Sequence, residues 1–311
     1  MNQKIFTTIA LFAICLTTII ITVQAGRTQF LRASEFNRSD QETILDSFPS
    51  RNQDELLSTT CALKPSNNRT SSQTSNPRNQ PPLERFRSPK NSFNILTRDN
   101  TPSFLRGQER YSPKESIALA DATNFGERFV FDLYGKPAYY PPIIVLHETV
   151  GSASSAINFF RTPHIDESQQ VSYHALIKRD GEVVYIVPPD KRAFGAGDSV
   201  FAGTLGKESI KTHPEYPSSV NNFAYHISLE TPSDGRGNGS RHSGYTQSQY
   251  QSLAWLVAKT GVPDSRITTH KFVDRSGQRQ DPRSFNGNAF LKLLQTQPKT
   301  NEINIDCQPP A

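Results

Sequence analysis

Apolar side chains are scarce. Hydrophobic residues make up 35% of the 311-residue chain, low for a chain packed from end to end, so part of it is expected to lie outside any core. Cysteine is rarer still, with three residues. Cys15 lies inside an apolar N-terminal run and lacks the small residue before it that lipid attachment needs. That leaves Cys61 and Cys307, either one disulfide or two free thiols, which excludes a chain built on a disulfide framework. No internal repeat is visible. The chain carries a net charge of +5, spread along its length, with no basic helix and no arginine stripe interleaved with aromatics. A nucleic-acid partner is therefore not expected, although the charge suits a polyanionic polymer.

The N-terminus reads as an export signal over residues 1–25. Lys4 opens it, Ile5 to Val23 is apolar apart from Thr residues, and Val23-Gln24-Ala25 resembles a cleavage site. An uncleaved anchor is the alternative, and either way the rest of the chain crosses a membrane. The expected location is periplasmic or extracellular, with membrane association only through this segment. Residues 26–111 are rich in Asn, Ser, Gln, Pro and Arg. They form an expected low-complexity linker, mostly disordered, with one short helix near 41–57.

Order is expected over 112–296, followed by a tail, 297–311. Ser112-Pro113 has the form of a helix start. Ile143–Val150 reads as a central strand, residues 154–160 as a short helix, and Val171–Ile177 as a second strand. Asp180-Gly181 signals a hairpin turn into 182–187. Asn222–Leu229 is a further strand. Thr246-Gln247-Ser248-Gln249 is a capping box, after which Tyr250, Leu253, Ala254 and Val257 repeat with helical period. Arg266–Thr269 is a short strand and 285–294 a last helix. The expected class is α/β, a mixed central sheet flanked by helices, and a monomer.

The residues that carry chemistry sit at element ends. A β-branched run delivers His270. A turn containing Gly277 then presents Arg279 and Asp281 two residues apart, hence on one face of an extended segment, with Pro282 keeping Asp281 extended. His147 ends the apolar strand. Two imidazoles, a carboxylate and a neighbouring cation form a candidate metal site. His174 points away from Tyr173 and is read as structural; His164, His213 and His242 lie in polar loops and are read as solvated.

Taken in order, the strand ending in His147, Ser172-Tyr173-His174 with its Lys178-Arg179-Asp180-Gly181 hairpin, the strand ending Leu229-Glu230, and His270 through Asp281-Pro282 resemble the zinc-dependent N-acetylmuramoyl-L-alanine amidases, the type 2 amidase and peptidoglycan recognition protein family. The resemblance implies Zn2+ on His147, His270 and Asp281, with a fourth position open to water. It places Arg279 where the family usually has Lys, as stabiliser of the oxyanion. It further implies peptidoglycan or muropeptides as partner and hydrolysis of the N-acetylmuramic acid–L-alanine amide, or alternatively a module of the same fold that binds without turnover. Two positions depart from the family. Ser228 stands where one branch has a catalytic Glu, leaving Tyr173, Glu230 or His226 for that role, with Tyr173 matching the other branch. Ala193-Phe194-Gly195-Ala196-Gly197 replaces a loop that often carries Trp-His-Ala-Gly.

Overall fold

The structure is a computed structural model that describes residues 81–88, 111–204, 206–237 and 239–305, all within one compact unit, Gln53–Ala311. The export signal, the helix expected near 41–57, and Cys15, Cys61 and Cys307 lie outside the described residues.

In chain order the strands are β1 (Glu115–Ile117), β2 (Phe125–Glu127), β3 (Ile143–Glu148), β4 (Ala175–Ile177), β5 (Val183–Tyr185), β6 (Lys191–Ala193), β7 (Phe201–Gly203), β8 (Gly206–Glu208), β9 (Ala224–Leu229) and β10 (Ile267–Thr269). The helices are α1 (Ala153–Arg161), α2 (Gln247–Ala258), α3 (His270–Val273) and α4 (Gly287–Gln295). Six strands form the main sheet in the order β1-β5-β4-β9-β3-β10. Only β4 and β5 pair antiparallel, through the Asp180-Gly181 turn; the other neighbours are parallel. The sheet is therefore mixed, as expected.

β3 explains its own position. All six of its residues are buried, and it lies between β9 and β10. A parallel strand covered on both faces needs such a run, because no side faces water. Side chains alternate across the sheet. Ile144, Leu146, Tyr225, Ile227 and Leu229 face α2 and α4, where Leu253, Val257, Phe290 and Leu294 complete one core. On the opposite face Val145 and Ala224 pack with Val273 of α3, while Phe160 of α1 packs with Leu176 and Val184. The capping box of α2 is formed on both sides: Gln249 N donates to Thr246 Oγ1, and Thr246 N donates to Gln249 Oε1.

The expected helix start at Ser112-Pro113 is wrong. Residues 115–117 form β1, parallel to β5. Its anchor is tertiary: Glu115 takes the Arg87 guanidinium at 2.6 and 2.7 Å and the Tyr185 hydroxyl at 2.7 Å. Local propensity loses to a strand edge waiting for a partner. The packed region is also wider than 112–296. Residues 81–88, inside the segment expected as linker, dock Phe86 against Tyr185 at 5.3 Å between ring centroids. On the other side, Ile303 and Ile305 of the expected tail are buried in the same core. Arg87 joins the two ends by reaching Glu302 at 3.0 Å.

Candidate metal centre

β3 carries His147 to the C-terminal edge of the sheet. Thr269 ends β10 beside Leu146 in parallel register, so the next residue, His270, arrives next to His147; their ring centroids are 4.6 Å apart. The segment after α3 turns at Gly277, whose positive φ of 72° suits glycine. It then returns Asp281, whose backbone carbonyl accepts from Lys271 N at 3.0 Å. One ligand atom each from His147, His270 and Asp281 lie within 4.8 Å of one another. Nδ1 of His147 is 3.3 Å from Oδ2 of Asp281, and Nδ1 of His270 is 3.1 Å from Oδ1. Residues 134 positions apart along the chain thus converge, 281 − 147.

The protonation of His147 and Asp281 suits a cation. Burial pushes His147 down to about 4, against the upward pull of Asp281, so its imidazole is neutral at neutral pH. Burial alone would raise Asp281, but His147 and His270 reverse this and hold its carboxyl well below the usual range. Neutral imidazole and ionised carboxylate are the ligand forms. The donor set also leaves a gap that a cation would fill: Nδ1 of His147 is buried and makes no hydrogen bond. An unsatisfied buried nitrogen is costly, and two imidazoles with one carboxylate are the ligand types of an open zinc site. The residues present fit the metal.

Around this cluster opens a cavity of about 1220 Å3, lined by Tyr173, Arg279 and Phe194 among others. Tyr173 stacks on His147 with centroids 4.5 Å apart. Among the described residues nothing hydrogen-bonds its hydroxyl. Burial and the Asp281 carboxylate push Tyr173 up, with Arg279 opposing, so the phenol stays protonated and keeps a hydrogen to donate.

Glu230 does not join the cluster. Its carboxylate accepts from the backbone amides of Ala153 and Arg179, each at 3.0 Å. Ala153 is the first residue of α1, and Glu230 ties that end of the helix to the β4–β5 hairpin. Strand alternation put Glu230 on the face of His226 and Ser228, but β9 ends at Leu229 and the chain turns away. His226 is brought close, although to a different place: it sits behind His147, with Nδ1 2.9 Å from His147 Nε2.

Two loop histidines read as solvated are buried instead. His242 bonds the Glu148 carboxylate at 3.0 Å, and His164 bonds Asn124 at 3.0 Å. The Glu148 cluster went unnoticed in the sequence. Its two oxygens are taken by Arg283, His242 and Tyr245, and Arg283 also holds the carbonyls of Gly235, Gly237 and Gly239. That network ties the glycine-rich loop to the end of β3. The signal available was Glu148 following a ligand on a buried strand, where an acid requires partners. His174 is structural as expected, accepting from His226 N at 2.9 Å.

Residues 137–284 match the family model for N-acetylmuramoyl-L-alanine amidase. This segment belongs to the type 2 amidase family. The amidase segment contains all three candidate ligands. The chain is 39% identical over 129 residues to 1,6-anhydro-N-acetylmuramyl-L-alanine amidase AmpD of Citrobacter freundii, covering 40% of this chain and 58% of that protein. With AmpD of Escherichia coli K12 it shares 39% over 85 residues, or 27% and 35% of the two chains. The chain thus spans less than two thirds of the length of these curated relatives. Among solved structures, a Se-Met AmpD derivative is 23% identical with a TM-score of 0.41, covering 60% of this chain and 98% of that one. AMPDH3 from Pseudomonas aeruginosa, in complex with anhydromuramic pentapeptide, is 17% identical with a TM-score of 0.36, covering 49% and 59%.

Proposed function

We propose that this chain is a zinc-dependent hydrolase of the amide between N-acetylmuramic acid and L-alanine in peptidoglycan or its muropeptides. The observation that carries the reading is the convergence of His147, His270 and Asp281, with His147 neutral and Asp281 ionised, beside an open cavity that His270 and Asp281 line. The match to the amidase family model and the similarity to curated AmpD proteins support this choice of bond and substrate class.

Zinc held by these side chains would supply Lewis-acid polarisation of the scissile carbonyl and a water of lowered pKa. The protein's own groups divide the remaining work. Asp281 and His147 present lone pairs without first losing a proton. Arg279, in the cavity wall, places a permanent cation where oxyanion charge develops. Tyr173 offers a protonated hydroxyl to the same oxygen, from a ring held in place by His147 and Phe160. Glu148 is withheld from proton transfer by its three partners.

The apolar run at residues 5–23 supports export, to a compartment where polymeric wall is accessible. The test of function is release of new L-alanine amino termini from purified peptidoglycan, together with metal analysis and a chelator control. Turnover that a chelator abolishes and zinc restores is expected. Stoichiometric zinc with no release would instead make the chain a binding module.

A further inference from the structure

The parallel register of β3 and β9 sets His147 opposite Ser228 and Val145 opposite His226. All four side chains share one face of the sheet, so His226 lies one step below the ligand His147 on the neighbouring strand. Both rings are completely buried. The distance from His226 Nδ1 to His147 Nε2 is 2.9 Å.

The proton on that bond can be placed. Nδ1 of His147 faces Asp281 and must be bare to hold a cation. A neutral imidazole then carries its hydrogen on Nε2, which donates to Nδ1 of His226. His226 in turn carries its own hydrogen on Nε2, a buried atom that makes no hydrogen bond among the described residues. The ring is fixed from below as well: its backbone N–H donates to His174 Nδ1 at 2.9 Å, the His174 ring lies parallel to it at 5.8 Å, and His174 Nε2 meets the Lys191 carbonyl at 3.1 Å.

The space for the His226 ring comes from another element. A Cβ added at Gly195 would lie 2.5 Å from His226 Nδ1 and 2.6 Å from its Cγ, closer than real atoms approach. Any side chain at position 195 would push the imidazole off His147. Glycine here serves this close approach and not a left-handed backbone, since its φ lies outside that region.

We propose that His226 is the positioning residue of the metal centre: it accepts the Nε2 proton of His147, fixing that ligand's tautomer and ring orientation, in a slot that Gly195 keeps open. The inference rests on the reading of His147 as a metal ligand. Imidazole ligands commonly donate their second N–H to a carboxylate, carbonyl or water, and loss of such a partner typically costs 10–100-fold in metal affinity. In this chain the acceptor is a second neutral imidazole.

The experiment measures zinc affinity by competition with a chromophoric chelator, on the full chain and three variants, with thermal unfolding of each metal-free protein. His226→Leu keeps bulk and removes the acceptor; about 10–100-fold weaker binding is expected. His226→Asn places Oδ1 near the position of Nδ1 and should recover most of that loss. Gly195→Ala leaves every donor in place but displaces the ring, so it should weaken zinc binding in the same direction as His226→Leu. If His226→Leu does not fold, the other two variants decide. Wild-type affinity in His226→Leu, or an Asn variant no better than Leu, overturns the proposal while leaving the zinc reading intact. A wild-type chain that takes no zinc overturns both.

Discussion

Replacing Tyr173 with Phe removes one hydroxyl and little else. The ring keeps its stack on His147 and its edge contact with Phe160, 4.5 and 5.4 Å between centroids. No hydrogen bond among the described residues is lost, so stability should change by less than about 0.5 kcal/mol. Tyr173 lines the cavity together with Arg279, and its hydroxyl stays protonated. If it donates to the developing oxyanion, losing it removes one preorganised donor, which is typically about 100–1,000-fold in kcat, or about 2.7–4 kcal/mol. The assay is turnover on purified muropeptide with zinc content measured on the same sample. Glu230→Gln is the control with the opposite pattern. It disturbs two backbone acceptances, costing about 1–3 kcal/mol of stability, with kcat changed less than tenfold as long as the chain stays folded. A Phe variant with full turnover and full zinc, or a Gln variant that is stable but inactive, would refute the assignment.

Asp281→Asn should leave the fold in place, since the Lys271 contact is to the backbone carbonyl, but zinc measured by atomic absorption should fall well below one per chain. Phe86→Ala should destabilise the domain by about 3–5 kcal/mol, read as a lower urea midpoint, because Phe86 is 1% exposed and stacks on Tyr185; an unchanged midpoint would put residues 81–88 outside the cooperative unit. Glu182 is held down to about 2 by Ser116 and then by Lys178 and Lys114, against 4.5 unperturbed. The unfolded chain therefore binds more protons between these values, and stability is lost as pH falls through that window. Glu182→Gln should narrow its deficit relative to wild type as pH drops from 5 to 2, and a constant gap in urea titrations would contradict this.

The legible part of the fold was local. The apolar run Ile143–Leu146 could only be a buried strand, Asp180-Gly181 made a turn, and Thr246 with Gln249 opened a helix, because spacing and turn chemistry act within a few residues. β1 was misread because its identity comes from Arg87, Tyr185 and the edge of β5, none of which is a neighbour in sequence. The same divide runs through the site. His147, His270 and Asp281 announced themselves by residue type at the ends of elements. Glu230 and His226 looked equivalent, two acid–base candidates on one alternating strand.

What the amino-acid order alone determined, then, was the set of donors and the elements that carry them. Which donors meet was decided in three dimensions. The parallel register of β3 with β9 and β10 brings His226 behind His147 and His270 beside it, while the end of β9 hands Glu230 to the amides of Ala153 and Arg179. Alternation tells a residue which face it occupies; only strand pairing, a contact between distant segments, tells it what it faces.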